Sequence, residues 1–346
     1  MKTDLMRAVV ITGPKEASLQ YIERCSPEPD EILVRCKAAA ICTTERRVFS
    51  GDLKYYPAIG GHEVAGVIES TGQIRSNLKP GDRVAIDNAN RCGLCYYCIR
   101  GRDNLCVDFF KPRKQSAYVV IGGGFAEYTT ALPSQVIKLP DSLSTEEASL
   151  MEPLACCINS IKKAQLSFGD TIVIVGAGTM GALHLMLAKR LGARTIVNDP
   201  DEHRLQLARQ LGADVTINPT VDEPVNVVKD YTGGRGADAV IIAASVKAGG
   251  EQGLRLAGPG GRVVFYASLY PKGNIDLDWN RIHYQEIVIA GTEGCTHKDF
   301  HEAVALAGSG AVKVGPLISK TIQLEELPAE LASRPAGETQ RVVVKP

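Results

Sequence analysis

The chain predicts an α/β protein of two parts, a mostly β, barrel-like domain and a doubly wound parallel-sheet domain. Three observations carry this. Over roughly the first 150 residues, short β-branched runs are punctuated by Gly and Pro, as in a loop-rich β domain. From Thr171 onward, continuous apolar strands alternate with amphipathic helices, as in a parallel sheet covered on both faces. That second part opens on a glycine-rich turn set between strand and helix. A length of 346 residues suits two domains of about 150 residues each.

Composition narrows the function. The chain is 45% hydrophobic and 23% charged, with 39 Lys+Arg against 39 Asp+Glu. No run of one sign exists to hold nucleic acid or a membrane surface. No apolar stretch approaches the roughly 18 residues that cross a bilayer, and the start, MKTDLMRAVVITG, lacks a signal-peptide pattern. The cytoplasm is the expected location.

In the first region, Arg7–Thr12, Glu31–Ala38 and Val64–Ser70 read as strands. Cys42 closes the strand-like run CKAAAIC, His62-Glu63 follows Gly60-Gly61, and Glu152 lies in MEPLACC at the domain junction. A thiolate, an imidazole and carboxylates from separate segments can surround a zinc ion and leave one position open. Cys92, Cys95, Cys98 and Cys106 stand in CGLCYYCIRGRDNLC. Cysteines three apart make strained disulfides, whereas four converging thiolates suit tetrahedral zinc. A full set of sulfur ligands leaves no open position, so this zinc is structural.

In the second region, TIVIV leads into Gly176-Ala177-Gly178-Thr179-Met180-Gly181 and an amphipathic helix. RTIVNDP supplies the next strand, which Asp199 ends 23 residues after Gly176. Such a turn lets backbone approach a pyrophosphate, which the helix N-terminus then stabilises. A carboxylate at Asp199 accepts from the ribose hydroxyls and repels a 2′-phosphate, favouring NAD over NADP. Further on come ADAVIIAAS, a helix through Glu251–Leu256, GGRVVFYAS, EIVIAG, a helix around Phe300–Ala307, and a last strand, RVVVK.

These motifs, with Cys42-Thr43-Thr44-Glu45, Gly61-His62-Glu63-Val64-Ala65-Gly66, Pro80-Gly81-Asp82-Arg83-Val84, Gly123-Gly124-Phe125-Ala126-Glu127-Tyr128 and Glu152-Pro153-Leu154-Ala155, occur in one order over nearly the whole chain. In this the sequence resembles the zinc-containing medium-chain dehydrogenase/reductase family, and its EPLA segment the polyol (sorbitol-type) branch. The resemblance implies a GroES-like catalytic domain over 1–153 and 299–346, with a zinc lobe at 91–107, and a Rossmann NAD-binding domain over 154–298. It implies two zincs per chain. Cys42, His62, Glu63 and Glu152 form the catalytic site, the two glutamates binding directly or through water. Thr44 is placed as a proton-relay hydroxyl, Glu45 as the partner orienting His62, and Arg204 beside the adenosine or as a solvated charge. The implied reaction moves hydride between NAD(H) and a secondary alcohol or ketone of a polyol, sugar alcohol or cyclitol. A simple-alcohol dehydrogenase or aldehyde reductase, or a non-redox NAD-retaining protein, is the alternative. A homodimer or homotetramer built through the Rossmann domain is implied.

Two departures bear on the substrate. Arg47 stands where many relatives have a relay histidine, and Gly294 where sorbitol dehydrogenases carry a substrate arginine. Arg46, Arg47 and the loop Lys111-Pro112-Arg113-Lys114 therefore suggest a phosphorylated sugar alcohol, guanidinium being suited to phosphate. The alternative makes them solvated charges or contacts to the NAD pyrophosphate, with a neutral polyol or cyclitol as substrate.

Overall fold

A computed structural model describes residues 4–73, 77–111, 113–115 (backbone only), 117–333 and 340–346. The chain forms two compact units, Met1–Pro153 with Thr296–Pro346, and Leu154–Cys295.

The first unit is built on two mainly antiparallel sheets. One runs Glu16–Glu23, Leu5–Gly13, Ala58–Ile59, Tyr118–Val120, Arg113–Gln115. The other runs Val136–Lys138, Arg83–Ile86, Glu63–Thr71, Ile32–Ala40, Arg341–Lys345, Ile318–Gln323, and Tyr128–Ala131 also pairs with Ile32–Ala40. The strand Ile32–Ala40 is therefore a hub. Val9, Ile11, Ile32, Val34, Val64, Ile68, Val84, Ile86, Phe125, Val342 and Val344 form one buried cluster around it, each such side chain worth roughly 1.5–3 kcal/mol when fully buried. The C-terminal strand returns to this core, with Val343 opposite Ala40. The helix His297–Gly308 starts three residues before the pattern-based estimate, because Thr296 caps it and Asp299 reaches back to the Thr296 N–H.

The second unit holds a six-stranded parallel sheet in the order Val215–Ile217, Arg194–Asn198, Thr171–Val175, Ala237–Ile242, Ala257–Phe265, Val288–Gly291. Thr171–Val175 is buried at every residue, which explains why its sequence is continuously apolar rather than alternating. Helices Thr179–Arg190, Glu202–Gln210, Pro224–Tyr231 and Lys247–Leu256 intervene between the strands. The last begins at Lys247, four residues before the apolar pattern indicates, because its first turn carries Gly249 and Gly250.

Within Thr179–Arg190, His184 is fully buried against the Tyr266 ring, and its Nδ1 donates to the Met180 carbonyl at 2.7 Å. Burial holds this imidazole down to about 4 in spite of the Met180 carbonyl. The unfolded chain binds the proton first as pH falls from 6.5. Stability is therefore full above pH 6.5 and declines by at most about 1.4 kcal/mol per pH unit towards pH 4. Urea midpoints at pH 7 and pH 5.5 should fall measurably in the wild type, and by less in His184→Leu.

Candidate metal centres and nucleotide turn

The strand Ile32–Ala40 ends two residues before Cys42, which is the N-cap of the helix Thr43–Ser50. Its N–H donates to Glu45 Oε2 at 3.1 Å, closing the first turn. Gly61, at φ 91°, turns the chain so that His62 precedes the strand Glu63–Thr71. The other Glu45 oxygen, Oε1, accepts from the Gly61 N–H at 3.0 Å and from His62 Nδ1 at 2.6 Å. One buried carboxylate thus ties both segments together, and by taking Nδ1 it leaves His62 Nε2 as the ligand atom. The glycine loop 122–124 packs backbone to backbone on this turn. A Cβ on Gly122 would stand 2.2 Å from His62 Cα, and one on Gly61 would stand 2.6 Å from Phe125 N.

Cys42, His62 and Glu63 bring ligand atoms that all lie within 4.8 Å of one another. Glu63 is fully buried; its Oε1 accepts from Arg341 Nη2 at 2.6 Å, and its Oε2 has no partner among the described residues. Arg341 Nη2 also lies 4.0 Å from Cys42 Sγ. Burial pushes the Cys42 thiol up, but the Arg341 charge and the His62 hydrogen bond outweigh it and bring it to about 7. Burial opposes protonation of His62, yet Glu45 raises it well above the ordinary range. Burial raises the Glu63 carboxyl well above the usual range against the pull of Arg341, with Cys42 and Glu152 adding to the rise. Glu152, in the first turn of the helix Met151–Ala164, lies outside the 4.8 Å donor set and acts on Glu63 as a neighbouring charge. A thiol near its neutral point, an imidazole nitrogen and an orphaned carboxylate oxygen fit zinc, with ligand positions left over.

The second cysteine group also fits a metal. All four sulfurs of Cys92, Cys95, Cys98 and Cys106 fall within 4.8 Å, and no disulfide joins them. Cys106 Sγ lies 3.5 Å from Cys92 Sγ; bonds of about 2.3 Å to one tetrahedral ion put sulfurs about 3.8 Å apart. Backbone N–H groups of Cys95, Cys92 and Asp108 donate to these sulfurs at 3.3–3.4 Å. Backbone N–H groups of Cys98 and Val107 draw the Cys95 thiol down to about 6, while burial and Cys106 push Cys98 up to about 12. Four thiolates this close repel until a cation joins them.

In the second unit, Gly176 has φ 102° and Gly178 is the N-cap of the helix Thr179–Arg190. A Cβ on Gly181 would stand 1.8 Å from the Gly176 carbonyl oxygen, so helix–strand packing requires glycine there. Gly178 differs: its φ is −66° and a Cβ would meet nothing within 4 Å. The protein itself does not demand glycine at 178, whereas a bound pyrophosphate does. Asp199 is buried, with Oδ2 accepting from the Ala177 N–H at 2.7 Å and lying 3.8 Å from Arg204 Nη1. It therefore braces the turn. Thr179 is buried, and the Met180 carbonyl is taken by His184 and, at 3.6 Å, by Cys157 Sγ.

The basic residues divide. Arg46 donates to the Glu330 carbonyl and carboxylate and to the Ser333 carbonyl, so it serves as a structural clamp on the helix Leu327–Ala332. Lys111 pairs with Asp108. Pro112 and the side chains of Arg113 and Lys114 lie outside the described residues. Arg47 is half-buried in the last turn of Thr43–Ser50, and Thr44 Oγ1 lies 3.9 Å from Cys42 Sγ. Sequence reading missed Arg341. Its only local signal is a charge opening an apolar strand, and no spacing connects residue 341 to residue 63.

A two-unit chain with an open Cys–His–Glu centre, a closed four-cysteine lobe and a dinucleotide-type turn defines a zinc dehydrogenase. Residues 28–141 match the alcohol dehydrogenase GroES-like domain, and residues 179–309 match the zinc-binding dehydrogenase domain. The chain belongs to the zinc-type medium-chain dehydrogenase/reductase family and is an enzyme of the alcohol dehydrogenase type. It is 32% identical to a D-arabitol-phosphate dehydrogenase of Enterococcus avium, over 93% of this chain and 92% of that one. It is also 32% identical to an L-threonine 3-dehydrogenase of Pyrococcus abyssi, over 99% of each. The structure of a zinc-binding dehydrogenase from Sinorhizobium meliloti bound to NADP superposes with a TM-score of 0.91 at 29% identity, covering 99% of this chain and 100% of that one.

Glu45→Gln should loosen the Cys42–His62 centre and leave the cysteine lobe intact. Zinc analysis after graded chelation should show one of two ions lost at about 10–100-fold lower chelator strength than in the wild type.

Proposed function

We propose that the protein is a zinc- and NAD-dependent dehydrogenase of a secondary alcohol in a polyol, with a phosphorylated sugar alcohol as the favoured form and a neutral polyol or cyclitol next. One observation carries the reading: ligand atoms of Cys42, His62 and Glu63 lie within 4.8 Å of one another, and Glu45 holds that geometry. Zinc bound there supplies Lewis acidity to the substrate oxygen, and nicotinamide accepts the hydride. The chain's residues do the rest. Cys42, His62 and Glu63 are the proposed ligands, with Glu152 as a carboxylate that reaches the ion directly or through water. Arg341 offsets the negative charge that Cys42 and Glu63 bring to a buried site. Thr44 Oγ1 is near enough to Cys42 to act as a relay hydroxyl, taking the proton that leaves the substrate hydroxyl as it passes its own on towards solvent. Cys92, Cys95, Cys98 and Cys106 hold the structural zinc.

Gly176, Gly178, Thr179, Met180 and Gly181 form the proposed cofactor turn, with Asp199 and Arg204 at the adenosine end. The Asp199 carboxylate favours NAD. Kinetics with both cofactors should show wild-type preference for NAD, narrowed by about tenfold in Asp199→Ser; a wild type that prefers NADP removes the ribose assignment. The edge strand Val288–Gly291 and the exposed Trp279 and Tyr284 support a homodimer, or a homotetramer of such dimers, through the second unit. No helix among the described residues is long and apolar enough to cross a membrane, and no disulfide joins any of the ten cysteines, which suits the cytoplasm.

The phosphorylated substrate rests on Arg47 and on the D-arabitol-phosphate relative. The likeness to L-threonine 3-dehydrogenase favours a second reading, an amino alcohol. The test compares kcat/KM on a neutral polyol, its phosphate, a simple secondary alcohol and L-threonine. The phosphate should be preferred, and Arg47→Ala should cut that preference by about tenfold. Equal loss on both polyols, or highest turnover on L-threonine, overturns it.

A further inference from the structure

Apart from the two candidate zinc centres, the helix His297–Gly308 carries a pair of histidines one turn apart, on one face. His297 Nε2 and His301 Nε2 lie 3.1 Å apart, with the rings crossed at 87°. His301 is exposed and the His297 side chain is 37% exposed, so ions in solution reach both. His297 is held from behind. The buried Asp87 carboxylate lies 3.6 Å from its Nδ1, and Asp103 accepts its backbone N–H at 3.2 Å. Asp87 is itself fixed by Arg91 at 2.7 Å. A carboxylate on the Nδ1 side of the ring is the kind of neighbour that orients histidine ligands in metal sites.

We infer that His297 and His301 form a two-imidazole site for one divalent transition-metal ion, with water completing the coordination. Bonds of about 2.0–2.1 Å at angles between square-planar and tetrahedral separate two nitrogens by about 2.8–3.4 Å, and the observed 3.1 Å falls inside that interval. Imidazole nitrogen selects copper(II), nickel(II) or zinc(II) over magnesium and calcium, with copper(II) tightest. Neither His297 nor His301 belongs to the two clusters of ligand atoms described above.

The experiment titrates nickel chloride into the zinc-loaded full chain by calorimetry, with zinc in the filtrate measured in parallel. One nickel ion should bind per chain with no zinc released. His301→Ala, with an unchanged melting temperature, should bind nickel at least about tenfold more weakly, and magnesium should give no signal. His283→Ala, altering an exposed histidine of the second unit, should match the wild type. Equal nickel affinity in His301→Ala, no nickel uptake by the wild type, or stoichiometric zinc release each overturns the inference.

Discussion

The geometry of the Cys42–His62–Glu63 cluster depends on one carboxylate. Glu45 accepts from the N–H of Cys42, the N–H of Gly61 and the Nδ1 of His62, and it is almost wholly buried. Burial works against its ionisation, but the His62 charge and these hydrogen bonds hold it below the ordinary carboxylate range. An ionised group in that position needs every partner it has. The helix start at Cys42 and the turn at Gly61 are therefore locked to each other. A ligand set built from distant segments becomes rigid without a metal to assemble it.

Around this clamp, close backbone approach replaces side-chain packing. Gly61, Gly122 and Gly124 let two loops meet where any Cβ would collide with main chain. The Gly124 N–H donates to the Gly61 carbonyl, and the Phe125 N–H to the Gly60 carbonyl. The GGGF and GGHE segments are thus two halves of one support. Arg341 adds the electrostatic complement. It reaches the site because the last strand pairs with Ile32–Ala40, and it meets Glu63 where both side chains are buried and the pair is weakly screened.

The two cysteine-bearing centres show how ligand number divides roles. The lobe supplies four sulfurs with backbone N–H groups aimed at them, so a bound ion is enclosed. The other centre supplies one sulfur, one imidazole and one carboxylate with an oxygen left over, so an ion there keeps room for a further ligand.

Much of this was legible in the sequence because the signals are local. CGLCYYCIRGRDNLC places four ligands within one loop, GAGTMG carries its own turn geometry, and continuous apolar runs mark strands buried on both faces. Glu45 was legible only through the family resemblance, as the partner of His62; that it also closes the first turn of the helix after Cys42 is seen in the fold. Tertiary structure decided the rest. Arg341 joins Glu63 only through strand pairing across 278 residues, and sequence spacing holds no record of that. Arg46 and Arg47 are alike in sequence, yet Arg46 is held by Glu330 and Ser333, because the helix that supplies them lies against the Thr43–Ser50 helix in the fold. Local chemistry names the donors, whereas long-range packing decides which of them meet.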